Sequence, residues 1–336
     1  MPIALPAISR RSFVTALAAW SLAVCASGVV GCSPAGSASS SKASKMGKVT
    51  IGTLPTEDIL PFWVAQSEGR FEAEGIESEV VSFQSATELI AGISSGNAQM
   101  AMTDIMVAAS VFAGGTDLSL SWVTLGTTAA QGRFGIQAGP DSGITSLSQL
   151  AGVPVGVGTN TILEYVMEDV LMERAGLSNE QIVTSELQKL PVRFQAMMSG
   201  EVKAAALPAS LLALGEVSGA VTLADDTTGE NISQSVMAVR NDWLSGEGAQ
   251  AIETFKQIWD GCARDINADP EKYRELLVKN ANLSDAVAAT YPISEYPLCQ
   301  FPTNDMVDPV MQWMEGKGYL TKDLVYDQSN GAFSIR

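Results

Sequence analysis

From residue 48 onward, short apolar runs alternate with segments whose apolar side chains recur every three or four positions. Runs of the first kind fit buried strands and segments of the second kind fit amphipathic helices, so the chain should alternate strand and helix. The first half predicts strands at 49–54, 80–83 and 100–103, a helix from Pro61 to about Gly69, one capped by Ser85 and ended by Gly96, and one capped by Asp104. This alternation is typical of the α/β class.

The same order of elements recurs about a hundred residues further along the chain. The segment VTIGT at 49–53 is echoed by VGVGT at 155–159, FEAEGI at 71–76 by MERAGL at 172–177, and SGNAQMA at 95–101 by SGEVKAA at 199–205. Three matches in one order support an internal duplication better than any one of them does. Two copies are too few for a solenoid and indicate two βαβ lobes.

We therefore expect a two-lobed α/β protein with a cleft between the lobes. A strand at 133–137 should cross into the second lobe and one at 235–240 should return, which makes a hinge of two crossings. The first lobe is predicted to comprise 47–132 and 236–336, with helices at 249–265, 270–279 and 305–315, and the second lobe to comprise 133–235.

The first thirty residues have the pattern of an export signal. Arg10 and Arg11 precede an apolar run at 13–30, and no acidic residue occurs before Glu57. The two arginines fit both the twin-arginine and the general export route. The run is close to the shortest that spans a bilayer, so an uncleaved anchor helix is the alternative to a cleaved leader.

The apolar run ends at a sequence that resembles a bacterial lipobox, Val29-Val30-Gly31-Cys32. We therefore predict a signal peptide at 1–31, acylation of Cys32 and a lipid-anchored protein on the extracytoplasmic side of the cell membrane. Residues 32–46 are predicted to be the lipidated cysteine and a flexible tether, because six serines and no large apolar side chain occur at 33–45.

Charge and composition exclude several functions. The chain has 20 Lys+Arg against 37 Asp+Glu, a formal net charge of −17, and no His. Because such a charge repels phosphate backbones, no nucleic-acid partner is expected. Without His there is no Ser-His or Cys-His nucleophile pair and no imidazole metal site, so we predict neither a metal nor a cofactor.

Four cysteines leave one question open. Cys25 lies in the predicted leader and Cys32 is the predicted acylation site, which leaves Cys262 and Cys299. In an oxidising compartment these two residues are candidates for a disulfide, and two buried free thiols are the alternative.

Several segments together resemble a known family. They are KVTIGTLP at 48–55, AQSEGRFEAEGI at 65–76, MAMTD at 100–104, LPVR at 190–193 and ALPA at 206–209. In this order they resemble the solute-binding proteins of ABC importers, in particular the nitrate/sulfonate/taurine and thiamine-pyrimidine group. The resemblance covers about 48–219 and implies a type II periplasmic-binding fold, a small-molecule solute and a membrane permease as partner.

Candidate ligand contacts follow the predicted strands, because ligands of open α/β sheets bind at the carboxyl ends of the strands. The candidates are Thr56, Glu57, Asp58, Ser85, Thr103, Asp104, Thr159, Asn160, Thr161, Arg193 and Pro208. For each residue a structural role is the alternative: Ser85 and Asp104 are also helix caps, and exposed loop acids are usually only solvated.

Two of these candidates have a specific predicted chemistry. Thr161 and Glu164 have the spacing of a capping box, which would place a helix N-terminus at the cleft as a site for an anion or polar group. Arg193 follows a segment at 190–191 that is predicted to be extended, so its guanidinium should fork onto a carboxylate or sulfonate of the solute. An ion pair between the lobes is the alternative for Arg193.

We therefore predict a monomeric extracytoplasmic solute-binding lipoprotein of an ABC importer, and not an enzyme. The solute would be a small polar molecule such as a sulfonate, nitrate or a pyrimidine. An α/β enzyme in the same cleft and a sensory lipoprotein without a transporter are the alternatives. The charge of the solute stays open, because Arg193 and the helix caps favour an anion whereas Glu57, Asp58 and Asp104 favour a cation or an amide.

Overall fold

The computed structural model describes residues 47–227 and 232–336. The predicted leader, the lipobox with Cys32 and the whole of the predicted tether lie outside these residues. The described chain has two sheets, one of seven strands and one of five. The predicted two-lobed α/β fold is confirmed, and we call the seven-stranded sheet with its helices the first lobe and the five-stranded sheet with its helices the second lobe.

The first lobe contains strands from both ends of the described chain. They are β1 Val49–Thr53, β2 Ser78–Ser82, β3 Met100–Asp104, β4 Leu118–Leu125, β10 Ser235–Arg240, β11 Leu324–Asp327 and β12 Ala332–Ile335. Their order in the sheet is β11-β12-β4-β10-β3-β1-β2. Strands β1, β2 and β3 are parallel, whereas β10 is antiparallel to both of its neighbours.

The second lobe is built from consecutive residues. Its strands are β5 Phe134–Ala138, β6 Pro154–Val157, β7 Val183–Glu186, β8 Ala204–Pro208 and β9 Val221–Asp225, in the order β7-β6-β8-β5-β9. Strand β6 is parallel to β7 and β8, and β5 is antiparallel to β8 and β9. The lobe boundaries at 132/133 and 235/236 stay a prediction.

The two sheets repeat one arrangement. The order β2-β1-β3-β10-β4 in the first lobe corresponds to β7-β6-β8-β5-β9 in the second, with the same parallel and antiparallel neighbours. In each lobe the strand that follows a crossing, β10 or β5, pairs with the third parallel strand. The topology therefore supports the internal duplication that the sequence segments indicate.

Helices connect and cover the strands. They are α1 Leu60–Ser67, α2 Arg70–Ala73, α3 Ala86–Ser94, α4 Ile105–Ala113, α5 Ile162–Asp169, α6 Leu190–Met198, α7 Ala209–Val217, α8 Asn241–Leu244, α9 Gly248–Ala268, α10 Arg274–Asn280, α11 Asp285–Ala288 and α12 Asn304–Gly316. Gly96 and Gly200, which follow α3 and α6, both have φ 78, a conformation that glycine adopts without steric cost. Across 47–227 and 232–336, none of the helices combines the length and apolarity needed to cross a membrane.

The structure holds Cys262 and Cys299 as free thiols, which is the alternative to a disulfide between them. Cys262 is buried in the core on α9. Cys299 contacts another face of the same helix, where its amide donates to Asp260 Oδ1 at 2.7 Å and its sulfur lies 3.7 Å from the Lys256 carbonyl oxygen. Residues 260 and 262 point about 200° apart around α9. Because Cys299 packs beside Asp260, its sulfur lies against a different face of α9 from the sulfur of Cys262.

Candidate functional site

A cavity of about 60 Å³ lies where strand ends from both lobes meet. Holding one water molecule takes roughly 10–15 Å³, so with the lobes in this position the cavity admits a solute of only a few non-hydrogen atoms. Its polar and charged lining is Thr56, Asp58, Ser85, Thr103, Asp104, Thr161, Gln188, Arg193 and Ser235. Its apolar lining is Leu54, Ala86, Met102, Phe134, Ile162, Leu163, Leu190 and Pro208. We call this space the central cavity.

Most of the candidate residues border the central cavity. Thr56, Asp58, Ser85, Thr103, Asp104, Thr161, Arg193 and Pro208 line it, whereas Glu57, Thr159 and Asn160 do not. Contact between any of these residues and a solute stays a prediction.

Nine lining residues were not among the candidates, and the sequence contains a signal for three of them. Gln188 follows the end of β7, so the strand-end rule that gave the other candidates would also have found it. Phe134 and Ser235 are the first residues of the two strands that follow the crossings between the lobes. A hinge strand that starts at a cleft places its first residues there.

Asp104 ends β3 and caps α4, as predicted. Its Oδ1 accepts a hydrogen bond from the Val107 amide at 2.8 Å, and its Oδ2 accepts one from the Ile162 amide of the second lobe at 3.4 Å. Burial raises the pKa of Asp104 to about 6, the amide donors oppose this rise, and the charge of Asp58 adds to it. One carboxylate therefore joins helix N-termini from the two lobes.

Asp58 adds a second carboxylate to the wall of the central cavity. It lies in the short 3-10 helix Glu57–Ile59 directly after β1, and only 5% of the residue is exposed. The Ser235 hydroxyl, at the start of β10, donates to its Oδ1. Ser235 also pairs through its backbone with Asp104, so the two carboxylates lie on one side of the cavity.

The prediction for Arg193 is wrong in its structural basis. Residues 190–191 are not extended: they begin α6, because proline fits the first turn of a helix, where its missing amide costs nothing. Arg193 therefore lies inside α6, with 1% of the residue exposed. Its guanidinium donates to the carbonyl oxygens of Leu187 at 2.8 Å, Ala206 at 3.0 Å and Gln188 at 3.4 Å.

These contacts give Arg193 a structural role in the second lobe. Burial lowers the pKa of the guanidinium to about 10, so it still carries its charge at neutral pH. A Cβ atom at Gly158 would lie 2.4 Å from Arg193 Nη2, which explains why the end of the repeated VGVGT segment requires glycine. The predicted inter-lobe ion pair of Arg193 is also absent among the ion pairs of the described residues.

The predicted capping box at the start of α5 does not form. The Glu164 carboxylate accepts from the Asn160 amide at 2.7 Å, one residue before the Thr161 amide that a capping box would use. The Thr161 hydroxyl instead donates to the Gly158 carbonyl oxygen at 2.6 Å, and Asp104 of the first lobe takes the place of a local cap for the Ile162 amide. The second-lobe helix is therefore capped from across the cleft.

Thr159 and Asn160 lie beside the central cavity and contact other protein groups. Asn160 has φ 55 and its Nδ2 donates to Ser110 Oγ of the first lobe at 2.9 Å. The Thr159 hydroxyl donates to Glu186 Oε1 at 3.2 Å. Asn160 thus adds a second hydrogen bond between the lobes.

Glu57 faces a different cavity, of about 290 Å³, next to the first hinge crossing. Its Oε1 accepts from the Tyr291 hydroxyl at 2.6 Å, and its backbone carbonyl accepts from the Tyr296 hydroxyl at 2.8 Å. Its buried Oε2 has no hydrogen-bond partner among the described residues. Burial raises the pKa of Glu57 to about 7, with a further rise from Asp58. This residue is not positioned to contact a solute in the central cavity.

A cluster of contacts joins α5 of the second lobe to the end of α12 in the first. Lys317 pairs with Glu168 at 2.5 Å, and the Tyr319 hydroxyl lies 2.9 and 3.0 Å from the two oxygens of Glu164. The rings of Tyr165 and Trp313 meet edge to face at 5.5 Å. We call these contacts the α5–α12 latch.

A solvent-exposed ion pair joins the lobes at another point. Lys189, which precedes α6, lies 2.9 Å from Glu88 of α3, and about half of the lysine side chain is exposed. Exposed pairs of this kind contribute little to stability. The α5–α12 latch and the Asp104 and Asn160 hydrogen bonds are less exposed polar contacts between the lobes.

A family model described as NMT1/THI5 like matches residues 56–272 of the chain. Among curated protein sequences, none matches significantly.

Solved structures with the same fold include two alkanesulfonate-binding proteins. The protein SsuA from Xanthomonas axonopodis pv. citri, bound to MOPS, is 17% identical, with a TM-score of 0.68 over 82% of this chain and 94% of that chain. The periplasmic aliphatic sulphonate binding protein SsuA from Escherichia coli is 18% identical, with a TM-score of 0.67 over the same shares. The desulfurization enzyme DSZB is 14% identical, with a TM-score of 0.60 over 82% of this chain and 93% of that chain.

Proposed function

Since the chain belongs to the NMT1/THI5-like family, we propose that it is the solute-binding component of an ABC importer. It captures a small polar solute between its lobes and delivers it to a permease in the membrane. The observation that carries this proposal is the central cavity, which both lobes line and which inter-lobe hydrogen bonds close. Binding by hinge closure requires a site of this kind, because the solute then stabilises the closed form by its contacts with both lobes.

The proposal includes lipid anchoring on the extracytoplasmic side of the membrane. Its support is the lipobox-like Val29-Val30-Gly31-Cys32 and the serine-rich stretch after it. Two or more acyl chains on one cysteine give stable membrane attachment, whereas a single chain gives only reversible binding. We propose that the solute-binding body acts as a monomer on this tether.

The proposal is tested with a soluble chain that starts after Cys32. Native mass spectrometry and extraction identify any co-purified small molecule, and calorimetry then measures its binding to protein that was unfolded, dialysed and refolded. We expect one solute per chain, and a smaller radius of gyration in solution scattering when the solute is added. Binding outside a 1:1 ratio, or binding without a change in scattering, would contradict a hinge-closing receptor.

An enzyme remains the second candidate, because DSZB shares the fold. The sequence has no His, and the free thiols of Cys262 and Cys299 lie on α9 and at its surface, outside the central cavity. The discriminating measurement is mass spectrometry of the bound molecule after prolonged incubation with a molar excess of protein. A receptor returns the molecule unchanged, whereas an enzyme returns a product.

A further inference from the structure

Two helix N-termini converge at the central cavity, and a side chain of the protein occupies the point where they meet. Helices α4 and α5 come from different lobes, and both direct amide groups to the Asp104 carboxylate, at 2.8 Å from Val107 and 3.4 Å from Ile162. Converging N–H groups and helix dipoles form a favourable position for an anion. Here Asp104 supplies that anion, so a sulfonate or nitrate would have to compete with it.

The remaining charges of the cavity reinforce this effect. Asp58 contributes a second carboxylate to the cavity wall. It accepts a hydrogen bond from the hydroxyl of Ser235, which also lines the cavity. Arg193 is the one cationic residue among the described residues that line the cavity, and it directs N–H groups to three backbone carbonyl oxygens. Two carboxylates against one guanidinium leave the lining with a formal charge of −1 when all three are ionised.

An anionic solute would therefore enter a buried space that already holds two carboxylates, in a medium where charges are poorly screened. A solute with a positively charged N–H group would instead find two acceptors on one wall. We propose that the central cavity selects a small solute with an amidinium or primary ammonium group, and that Asp104 is the residue that determines this specificity. This inference rests on the proposed receptor function.

Calorimetry with simple probes of matched size tests the inference. We expect the soluble chain to bind acetamidinium or methylammonium at pH 8, at least tenfold more tightly than neutral acetamide, with no measurable binding of methanesulfonate. Affinity for the cations should fall as the pH is lowered from 8 to 5, because Asp104, whose pKa lies near 6, then becomes protonated and neutral.

Variants test whether Asp104 is responsible for the binding of the cationic probes. Asp104→Asn should lower the affinity for the cationic probe at least tenfold, whereas Asp141→Asn, in an exposed turn, should leave it unchanged. Asp104→Ser should gain binding of methanesulfonate, because serine still caps α4, as Ser85 caps α3, and frees the Ile162 amide for the anion.

Two results would overturn the inference. One is binding of methanesulfonate or nitrate to the wild-type chain more tightly than either cation, and the other is binding of neither cation. Both results leave the receptor function itself standing, because that function is decided separately by the extracted solute and by the scattering change. Conversely, cation binding that produces no lobe closure would support the charge selectivity and contradict the receptor.

Discussion

Tyr319 of the first lobe donates its hydroxyl to the Glu164 carboxylate of the second lobe, with both carboxylate oxygens within 3.0 Å. The same carboxylate accepts the Asn160 amide at the start of α5. Glu164 thus binds the turn before α5 in its own lobe and also contacts the other lobe. In the proposed hinge opening the Tyr319 contact would break while the Asn160 contact stays, so we expect this hydrogen bond to stabilise the closed form specifically.

The first prediction concerns Tyr319→Phe. Hydrogen bonds to charged groups contribute about 1.5–3 kcal/mol. Because the Tyr319–Glu164 bond is only partly buried, we expect its contribution to be at or below the lower limit of this range. We expect the ratio of closed to open protein to fall about five- to tenfold, and solute affinity to fall by no more than the same factor. Solution scattering without solute measures the first effect and calorimetry the second.

Two controls separate closure from stability. Tyr326→Phe removes a buried hydroxyl that donates to the Pro302 carbonyl within the first lobe, so it should lower the free energy of unfolding without changing scattering. Lys189→Ala removes an exposed inter-lobe pair and should change affinity less than twofold. Equal scattering profiles for wild type and Tyr319→Phe would show that the latch does not hold the lobes.

The second prediction concerns the pH dependence of stability at Glu57. Its pKa rises from 4.5 to about 7 in the folded protein, so folding favours the protonated form. The stabilisation is fully present below about pH 4.5 and is lost as the pH rises through 7, by about 3 kcal/mol in total. Glu57→Gln cannot ionise, so this pH-dependent loss should be absent from the variant.

Urea unfolding at several pH values between 4.5 and 8 measures the effect as the difference between wild type and Glu57→Gln. Glu201→Gln, at an exposed position, is the matched control and should follow the wild type. A constant difference between wild type and Glu57→Gln across this range would mean that Glu57 ionises normally in the folded protein.

The third prediction concerns Arg193→Leu. The substitution leaves the carbonyl oxygens that Arg193 satisfies, including the buried bond to Ala206, without their donor. Each unsatisfied buried group costs about 1–3 kcal/mol, so we expect a loss of at least about 3 kcal/mol in the free energy of unfolding. Arg264→Leu, on the exposed face of α9, should change stability by less than about 0.5 kcal/mol.

If Arg193 instead contacted an anionic solute as its main role, Arg193→Leu would reduce affinity and leave the unfolding free energy nearly unchanged. Chemical denaturation and calorimetry on the same preparation distinguish these two cases. Arg193→Lys should recover only part of the stability, because an ammonium group cannot reproduce the fork of the guanidinium.

The fourth prediction concerns the two thiols. Burial raises the pKa of the Cys262 thiol to about 12 and raises that of Cys299 still further, so neither forms the reactive thiolate at neutral pH. In a chain that starts after Cys32, we expect no reaction with a thiol reagent in buffer and two reacted cysteines in urea. An intact mass lower by two hydrogens, or no reaction in urea, would demonstrate a disulfide.

The strands β1, β2 and β3 and the caps of α3 and α4 could be predicted from sequence because their signals are local, whereas β4 was not predicted. The strand at 235–240 coincides with β10, and Ser85 and Asp104 cap α3 and α4 as expected. The hairpin of β11 and β12 was not predicted. Its strands are only four residues long and lie on the edge of the sheet, where alternation over so few positions gives little signal.

The site was harder to predict, because its contacts join distant parts of the chain. Eight of the candidates that were chosen because they follow predicted strands do line the central cavity. The same rule gave no sign that Asp104 accepts a hydrogen bond from the first amide of a helix in the other lobe. The prediction for Arg193 failed because proline was taken to extend the backbone where it begins a helix. Long-range pairings such as Tyr319 with Glu164 have no signal in a single sequence.

The position of β10 also bears on the order in which the two lobes can complete their sheets. This strand fills the slot between β3 and β4, although the whole five-stranded sheet is encoded between β4 and β10. The smaller lobe consists of consecutive residues, whereas β3 and β4 need a strand that lies more than a hundred residues further along the chain. Non-local pairing of this kind slows folding, so we expect the larger lobe to complete its sheet after the smaller one.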